Sequence, residues 1–408
     1  DHPCHPYLYH LMSLFSQDNR MMRGPRYQLQ DVTLQDCGAP RQTSGSVSWN
    51  SSGSWLASTS SDRLVKVWSL EGGKEVAAIP GHAGELVRVR FHPTEPTLLC
   101  SSAQDGTVRL WDVRSNSSSR CIAKIDLSSP QSTATSISWS RSTITGSNNQ
   151  LCVVEGDASS GCNTIHIYDL AKLGGGGSRQ GRGRSTAASS ISTKPLKSFP
   201  LDASSSVHEC HFSPSGTHLV AAVVDHGKMG ELWIWPWEAE AAAAKDDSSS
   251  WKERCWRVEG HAGGAIYTHA FSPNGKRLAT GGNDALVGLW DVPASLVCTN
   301  VMDRRTKFIR SVAFSHDSQL VACSTEESGI DVAHADNGSL VGIVSLGSKS
   351  SARGITNNNS NEMGGGADEI AFHPRAYILA CARGHHPPSH HSQPQGPGFT
   401  QVTIAKLK

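Results

Sequence analysis

The chain has no Cys-x-x-Cys pair and no dense cysteine cluster; its eleven cysteines, an odd number, are scattered over 408 residues. That pattern argues against a disulfide framework and fits reduced thiols of a cytosolic or nuclear protein. Cys100, Cys323 and Cys381 sit in apolar runs and read as small core residues. No stretch of about 18 consecutive apolar residues exists, so no membrane-spanning helix is expected. Neither sign of charge dominates: 37 Lys and Arg against 36 Asp and Glu leave +1. A global basic field is therefore excluded, and any nucleic-acid contact must be local. The motifs GxSxG, GxxxxGK[ST], GxGxxG and HExxH are also missing. Neither an enzyme nor a cofactor or small-molecule substrate is expected on that ground. Asp1 to Met22 lack the basic and apolar segments of a signal peptide. Residues 1–24 are expected to be a disordered extension and 25–408 one domain.

What the sequence does have is a repeat. An aromatic residue closing a short strand recurs seven times, usually with an apolar partner two positions before it: Val47/Trp49, Val89/Phe91, Ile137/Trp139, Cys210/Phe212, His269/Phe271, Val312/Phe314 and Ile370/Phe372. After each comes a polar turn, an aliphatic strand, a tight turn and a third strand, as in those ending near Trp68, Trp111, Tyr168, Trp235 and Trp290. Trp49 and Phe91 are 42 residues apart, and Phe271 and Phe314 are 43 apart, within the period of about 40–45 of four-stranded propeller blades. The expected fold is all-β, a seven-bladed β-propeller of the WD40 type. Low-complexity tracts at about 174–194, 238–250, 347–366 and 384–398 are too poor in apolar residues to offset ordering entropy, and are expected to be flexible insertions. The last repeat lacks an outer strand, so a segment near Tyr27 to Leu34 is expected to supply it and close the ring.

Two repeats carry the same four polar residues at the same spacing. Gly81-His82 is followed by Ser101, Asp105 and Trp111; Gly260-His261 is followed by Thr280, Asp284 and Trp290, at 19, 23 and 29 residues after the His in both. With the His entering from the loop before the inner strand and the Asp in the tight turn, these groups can satisfy one another's hydrogen bonds where water is excluded. His, Asp and Ser together also suggest nucleophilic catalysis. Their recurrence in separate blades, with Trp as fourth member, favours a scaffold device. The first blade keeps Ser58, Asp62 and Trp68 without the His.

Three other clusters are weaker. His208-Glu209-Cys210-His211 looks like a metal site, but alternate residues of a strand face opposite ways, so one strand cannot supply all four ligands. The tract from Gly384 to His391 could chelate zinc or nickel adventitiously, and reads as a solvated loop. Arg179, Arg182 and Arg184 lie in an Arg/Gly tract without aromatic residues; it reads first as a solubilising loop and second as a weak phosphate contact.

Gly81-His82 through Phe91-His92-Pro93, Asp105 to Arg114, Cys121-Ile122-Ala123, Asp284 to Val292, Leu296-Val297-Cys298, Arg310 to Asp317 and Gly329 to Ala333 resemble the THO complex subunit 3 family, also called Tex one. In the last of these segments Ala333-His334 stands where other blades have Trp-Asp, a loss that the family shares. The resemblance implies a non-catalytic WD-repeat subunit of the nuclear THO/TREX machinery for mRNP assembly and mRNA export, docked on large helical scaffold subunits and touching mRNA indirectly or weakly. Departures concentrate in blades three and four. Two other readings compete: a substrate receptor of a ubiquitin ligase or a chromatin-peptide reader, the reader needing an acidic central pore, and an enzyme built on the His/Asp/Ser sets.

Overall fold

Each aromatic anchor closes the innermost strand of a four-stranded antiparallel sheet. The inner strands are Val47–Trp49, Leu86–Phe91, Ser132–Trp139, Ser206–Phe212, Ile266–Phe271, Ile309–Phe314 and Glu369–Phe372. In a computed structural model, the structure describes residues 32–35, 45–59, 62–114, 120–140, 150–157, 163–169, 194–224, 229–237, 250–252, 254–261, 264–293, 296–327, 329–346, 366–383 and 401–407. Seven such sheets form, and we number them blades 1 to 7 in the order of their inner strands. In blades 1 to 6 the four strands follow chain order from the axis outward. Blade 7 differs: its outer strand is Val32–Gln35, paired antiparallel with Gln401–Lys406 in the register Val32 opposite Ile404. The chain thus closes the ring with a strand from its other end, a few residues beyond the start expected for it.

Apolar residues alternate along the strands and fill the spaces between blades. Val65 and Val67 of blade 1 pack with Val89, Leu99 and Trp111 of blade 2. At the closure, Val47, Trp49, Leu56 and Trp68 of blade 1 pack with Ala380, Ala382, Val402 and Ile404 of blade 7. Cys100, Cys323 and Cys381 are buried and not engaged in disulfides, as their apolar neighbourhoods suggest. Burial pushes Cys100 and Cys323 up to about 12, which leaves them without reactive thiolate.

Most of the low-complexity tracts, and the expected extension 1–24, lie outside the described residues. Next to the tract expected at about 238–250 the structure describes a 3-10 turn, Ser250–Lys252. That turn inserts Trp251, 2% exposed, against Phe199, Trp233 and Trp235 at ring separations of 5.6, 6.4 and 5.6 Å. An indole buries enough area to order a segment whose neighbours are Ser and Asp.

Candidate functional site

The paired four-residue sets come together as the spacing implies. In blade 2, Trp111 Nε1 donates to Ser101 Oγ at 2.8 Å, and His82 Nε2 lies 2.8 Å from the same oxygen. His82 Nδ1 meets both Asp105 oxygens at 3.2 and 3.0 Å. The consistent assignment is Trp N–H to Ser, Ser O–H to His Nε2, and His Nδ1–H to Asp. In blade 5, Trp290 to Thr280, Thr280 to His261 and His261 to Asp284 all measure 2.9 Å. One detail differs from expectation: His261 ends the outer strand Trp256–His261 of blade 4 instead of lying in a loop. Each His therefore joins the end of one blade to the turn of the next. Gly81 precedes His82 because its φ is +149° and a Cβ there would sit 2.7 Å from Trp111 Cη2.

Both histidines are buried, and nothing shows Ser101 or Thr280 free to attack a substrate, since each hydroxyl is engaged by Trp and His. Burial by itself would raise the Asp105 carboxyl. The hydrogen bonds from His82, Thr107 and the Ala83 amide outweigh it and hold the group well below the usual carboxylate range. A depressed folded-state value contributes stability that is complete above the ordinary carboxylate value, near 4, and is lost progressively as pH falls from there toward the folded-state value. Asp105→Asn is expected to cost about 1–3 kcal/mol at neutral pH and to flatten the acid limb of the stability curve below about pH 4. Denaturant titrations of wild type and variant at several pH values check both. An unchanged acid limb would refute the assignment.

Blades 1 and 6 carry altered versions. In blade 1, Trp68 Nε1 donates to Ser58 at 2.9 Å, while Asp62, without a His, holds the Leu64 amide and pairs with Lys66 at 3.4 Å. In blade 6, Arg305 precedes the inner strand where the His stands elsewhere, 19 residues before Ser324. It pairs with Asp331 at 2.5 Å and Glu327 at 3.3 Å. The side chains of Arg305 and Asp331 are 10% and 2% exposed. Reading the sequence for His, Ser, Asp and Trp could not find this substitute, although its spacing was available.

The inner strands line a central channel of about 580 Å³. Residues flanking the apolar partner of the anchors line it: Ser48, Arg90, Ser138, Glu209 and His211, Thr268 and Ala270, Ser311 and Glu369 around the ring. Arg90 pairs with Glu369 at 2.6 Å, and Arg88 reaches Glu369 at 3.5 Å and Glu209 at 4.0 Å. Two guanidiniums thus meet two carboxylates across the channel, and among the described residues no acidic ring is left for a basic peptide. The structure also resolves the His208 to His211 cluster. A bulge between Val207 and Glu209 turns Cys210 into the core and His208 against Tyr267. Glu209 and His211 face the channel side together with His269 of blade 5. Burial, then the positive charges of Arg90 and Arg88, pushes His211 down to about 3; burial and the neighbouring His211 push His269 down to about 3, against smaller opposite pulls from Glu209 and the Val220 backbone. Arg179, Arg182 and Arg184 lie outside the described residues.

The WD domain, G-beta repeat family matches residues 42–69, 73–112 and 252–291. These segments end at the third strands of blades 1, 2 and 5, the three blades with a Trp bonded to Ser or Thr. Over 308 residues the chain is 24% identical to WD repeat-containing protein AAC3 of Dictyostelium discoideum, which covers 70% of this chain and 54% of that protein, so the chain spans about half of that relative. It is 22% identical over 302 residues to THO complex subunit 3 of Arabidopsis thaliana, covering 72% of this chain and 78% of that protein. Among solved structures, the Cps50 (Swd1) β-propeller domain of Myceliophteria thermophila superposes with a TM-score of 0.62 at 16% identity, over 92% of this chain and 99% of the other. A closed ring of seven sheets, the Trp-Ser/Thr-His-Asp bonding and the three matched repeats give this chain the fold of a seven-bladed WD40-type β-propeller.

Proposed function

We propose that this chain is a non-catalytic scaffold subunit of a THO/TREX-type complex, acting in the nucleus in transcription-coupled mRNP assembly and mRNA export. The observation that carries this reading is the alignment with Arabidopsis THO complex subunit 3, which runs through 72% of the chain and is not confined to one or two repeats. The site chemistry agrees. The polar sets are engaged in internal bonds, and WD40 propellers generally act as binding platforms. The perimeter supplies surface for a protein partner: on the outer strands of blades 4, 5 and 6, Trp256 is 61% exposed, Val297 and Val301 52% each and Ile343 48%. Exposed aromatic and aliphatic side chains on consecutive strands suit docking against helical subunits. The reading as a chromatin-peptide receptor draws no support from the channel, whose acidic groups are paired with arginine.

Affinity purification of the tagged chain from nuclear extract is expected to recover the large helical subunits of a THO complex. Recovery of a ligase adaptor or a histone in their place would overturn the reading. A Val297→Asp/Val301→Asp variant should lose most of that recovery while keeping its melting temperature, because both side chains are already in water. Any direct RNA contact is assigned to Arg179, Arg182 and Arg184. Replacing all three by Ala should lower the log–log salt slope of binding to single-stranded RNA by about 2, near 0.7 per lost phosphate contact.

A further inference from the structure

Three of the seven junctions between blades are bridged in the same way on the channel side. The amide of the anchor's apolar partner donates to a serine of the preceding blade: Val89 to Ser46 at 3.2 Å, Cys210 to Ser136 at 3.3 Å, and Ile370 to Ser311 at 3.2 Å. Between blades 4 and 5 the same bond exists with different chemistry. The His269 amide donates to Glu209 Oε2 at 3.0 Å, so a glutamate stands in the serine's place and a histidine in the place of Val, Cys or Ile. Two residues on, His211 occupies the position held by Ser48 and Ser138. One junction has thus exchanged three inert residues for three metal-ligating ones.

We propose that Glu209, His211 and His269 form a binding site for a divalent first-row transition ion, best fitted by Zn2+, which fastens blade 4 to blade 5 inside the channel. One ligand atom from each residue lies within 4.8 Å of the other two. Tetrahedral coordination with bonds of about 2.0–2.1 Å sets ligand atoms roughly 3.3 Å apart, so closing the site takes at most a roughly 1.5 Å rotamer adjustment. His269 gives the independent sign of a missing ligand. It is 1% exposed, and neither Nδ1 nor Nε2 has a hydrogen-bond partner of acceptable geometry. Buried imidazoles ordinarily bond at one nitrogen or both. The rings of His211 and His269 are 4.6 Å apart, close enough for one nitrogen of each to reach a shared ion. Glu209 keeps one oxygen on the His269 amide, which fixes the carboxylate, and its other oxygen is available to the ion.

The opposing charge is Arg88, 4.0 Å from Glu209 Oε1, with Arg90 behind it. Arg88 also holds Glu369 at 3.5 Å and the Thr135 carbonyl at 3.1 Å, and Arg90 holds Glu369, so both guanidiniums keep partners when Glu209 turns to a cation. Two imidazoles and one carboxylate, with channel space for a water as fourth ligand, suit Zn2+ better than Mg2+ or Ca2+, which favour oxygen shells.

The test uses the full chain with His385, His386, His390 and His391 replaced by Ser, which removes the tract able to chelate by itself. Titration with Zn2+ should show one equivalent bound and a raised melting temperature, and Co2+ should give visible d–d bands. X-ray absorption at the zinc edge should show two imidazoles and no thiolate. Glu209→Gln, which keeps an acceptor for the His269 amide, and His211→Gln should each weaken binding at least about tenfold while the circular dichroism spectrum stays that of the parent. Absence of saturable binding would overturn the proposal. So would a zinc shell with fewer than two imidazoles, or equal affinity in both folded variants. None of these outcomes depends on which complex the propeller joins.

Discussion

Deletion of Val32–Gln35 is expected to lower the melting temperature more than Asp105→Asn does and to drive the protein into self-association. The four residues pair with Gln401–Lys406 from Val32 opposite Ile404 to Gln35 opposite Gln401. Roughly four ladder hydrogen bonds at about 1 kcal/mol net each give this strand on the order of 4 kcal/mol. Its loss has a second cost. Val402 and Ile404 of the neighbouring strand belong to the cluster that seals blade 7 against blade 1, and that strand would become an open edge able to pair with another molecule. The same segment fused after Lys408 through a flexible linker should restore both melting temperature and monodispersity. It would then run antiparallel to the preceding strand in chain order, as the outer strands of blades 1 to 6 do. Melting curves and light scattering on the three proteins decide the matter. A deletion that melts and sediments like the parent would show that closure rests on the apolar seam alone.

Legibility of the chain follows from which interactions impose a fixed residue type. A strand end that must fill the space beside its neighbour needs an aromatic residue, so all seven anchors were visible and each closes an inner strand. A buried indole N–H and imidazole need partners at set distances, so the sets of His82 and His261 could be read from spacing. Arg305 escaped because charge can replace shape. A guanidinium reaching Asp331 and Glu327 fills the same place as imidazole, hydroxyl and carboxylate, with other residue types. His269 escaped for the opposite reason: it stands in an anchor pair where an apolar residue is usual, so only the seam to blade 4 shows what it faces. For the same reason the His208 to His211 cluster was weighed as one strand's property, whereas the structure splits it and adds a residue 58 positions beyond. Trp251 lay at the edge of a Ser-rich tract whose composition hid its contact with Phe199.

Arg305→Met should destabilise the propeller by about 3–5 kcal/mol, a loss comparable with that of the closing strand. Asp331 is 2% exposed and paired with Arg305 at 2.5 Å; with the guanidinium gone, its remaining cation is Arg304 at 3.8 Å, half in water. A buried carboxylate without a close partner is penalised by desolvation far more than an exposed pair is rewarded. The double variant Arg305→Met/Asp331→Leu removes both charges and fills their volume with apolar atoms, so it should recover most of the loss. Asp331→Leu alone should cost less than Arg305→Met, because Arg305 retains Glu327 at 3.3 Å. Denaturant unfolding of the four proteins forms a double-mutant cycle, and a coupling of several kcal/mol is expected. Additive losses would mean that the two groups do not act on each other. Blade 6 would then owe its order to apolar packing of Val321, Cys323 and Ala333 with blade 5, and Arg305 would be a surface cation that happens to point inward.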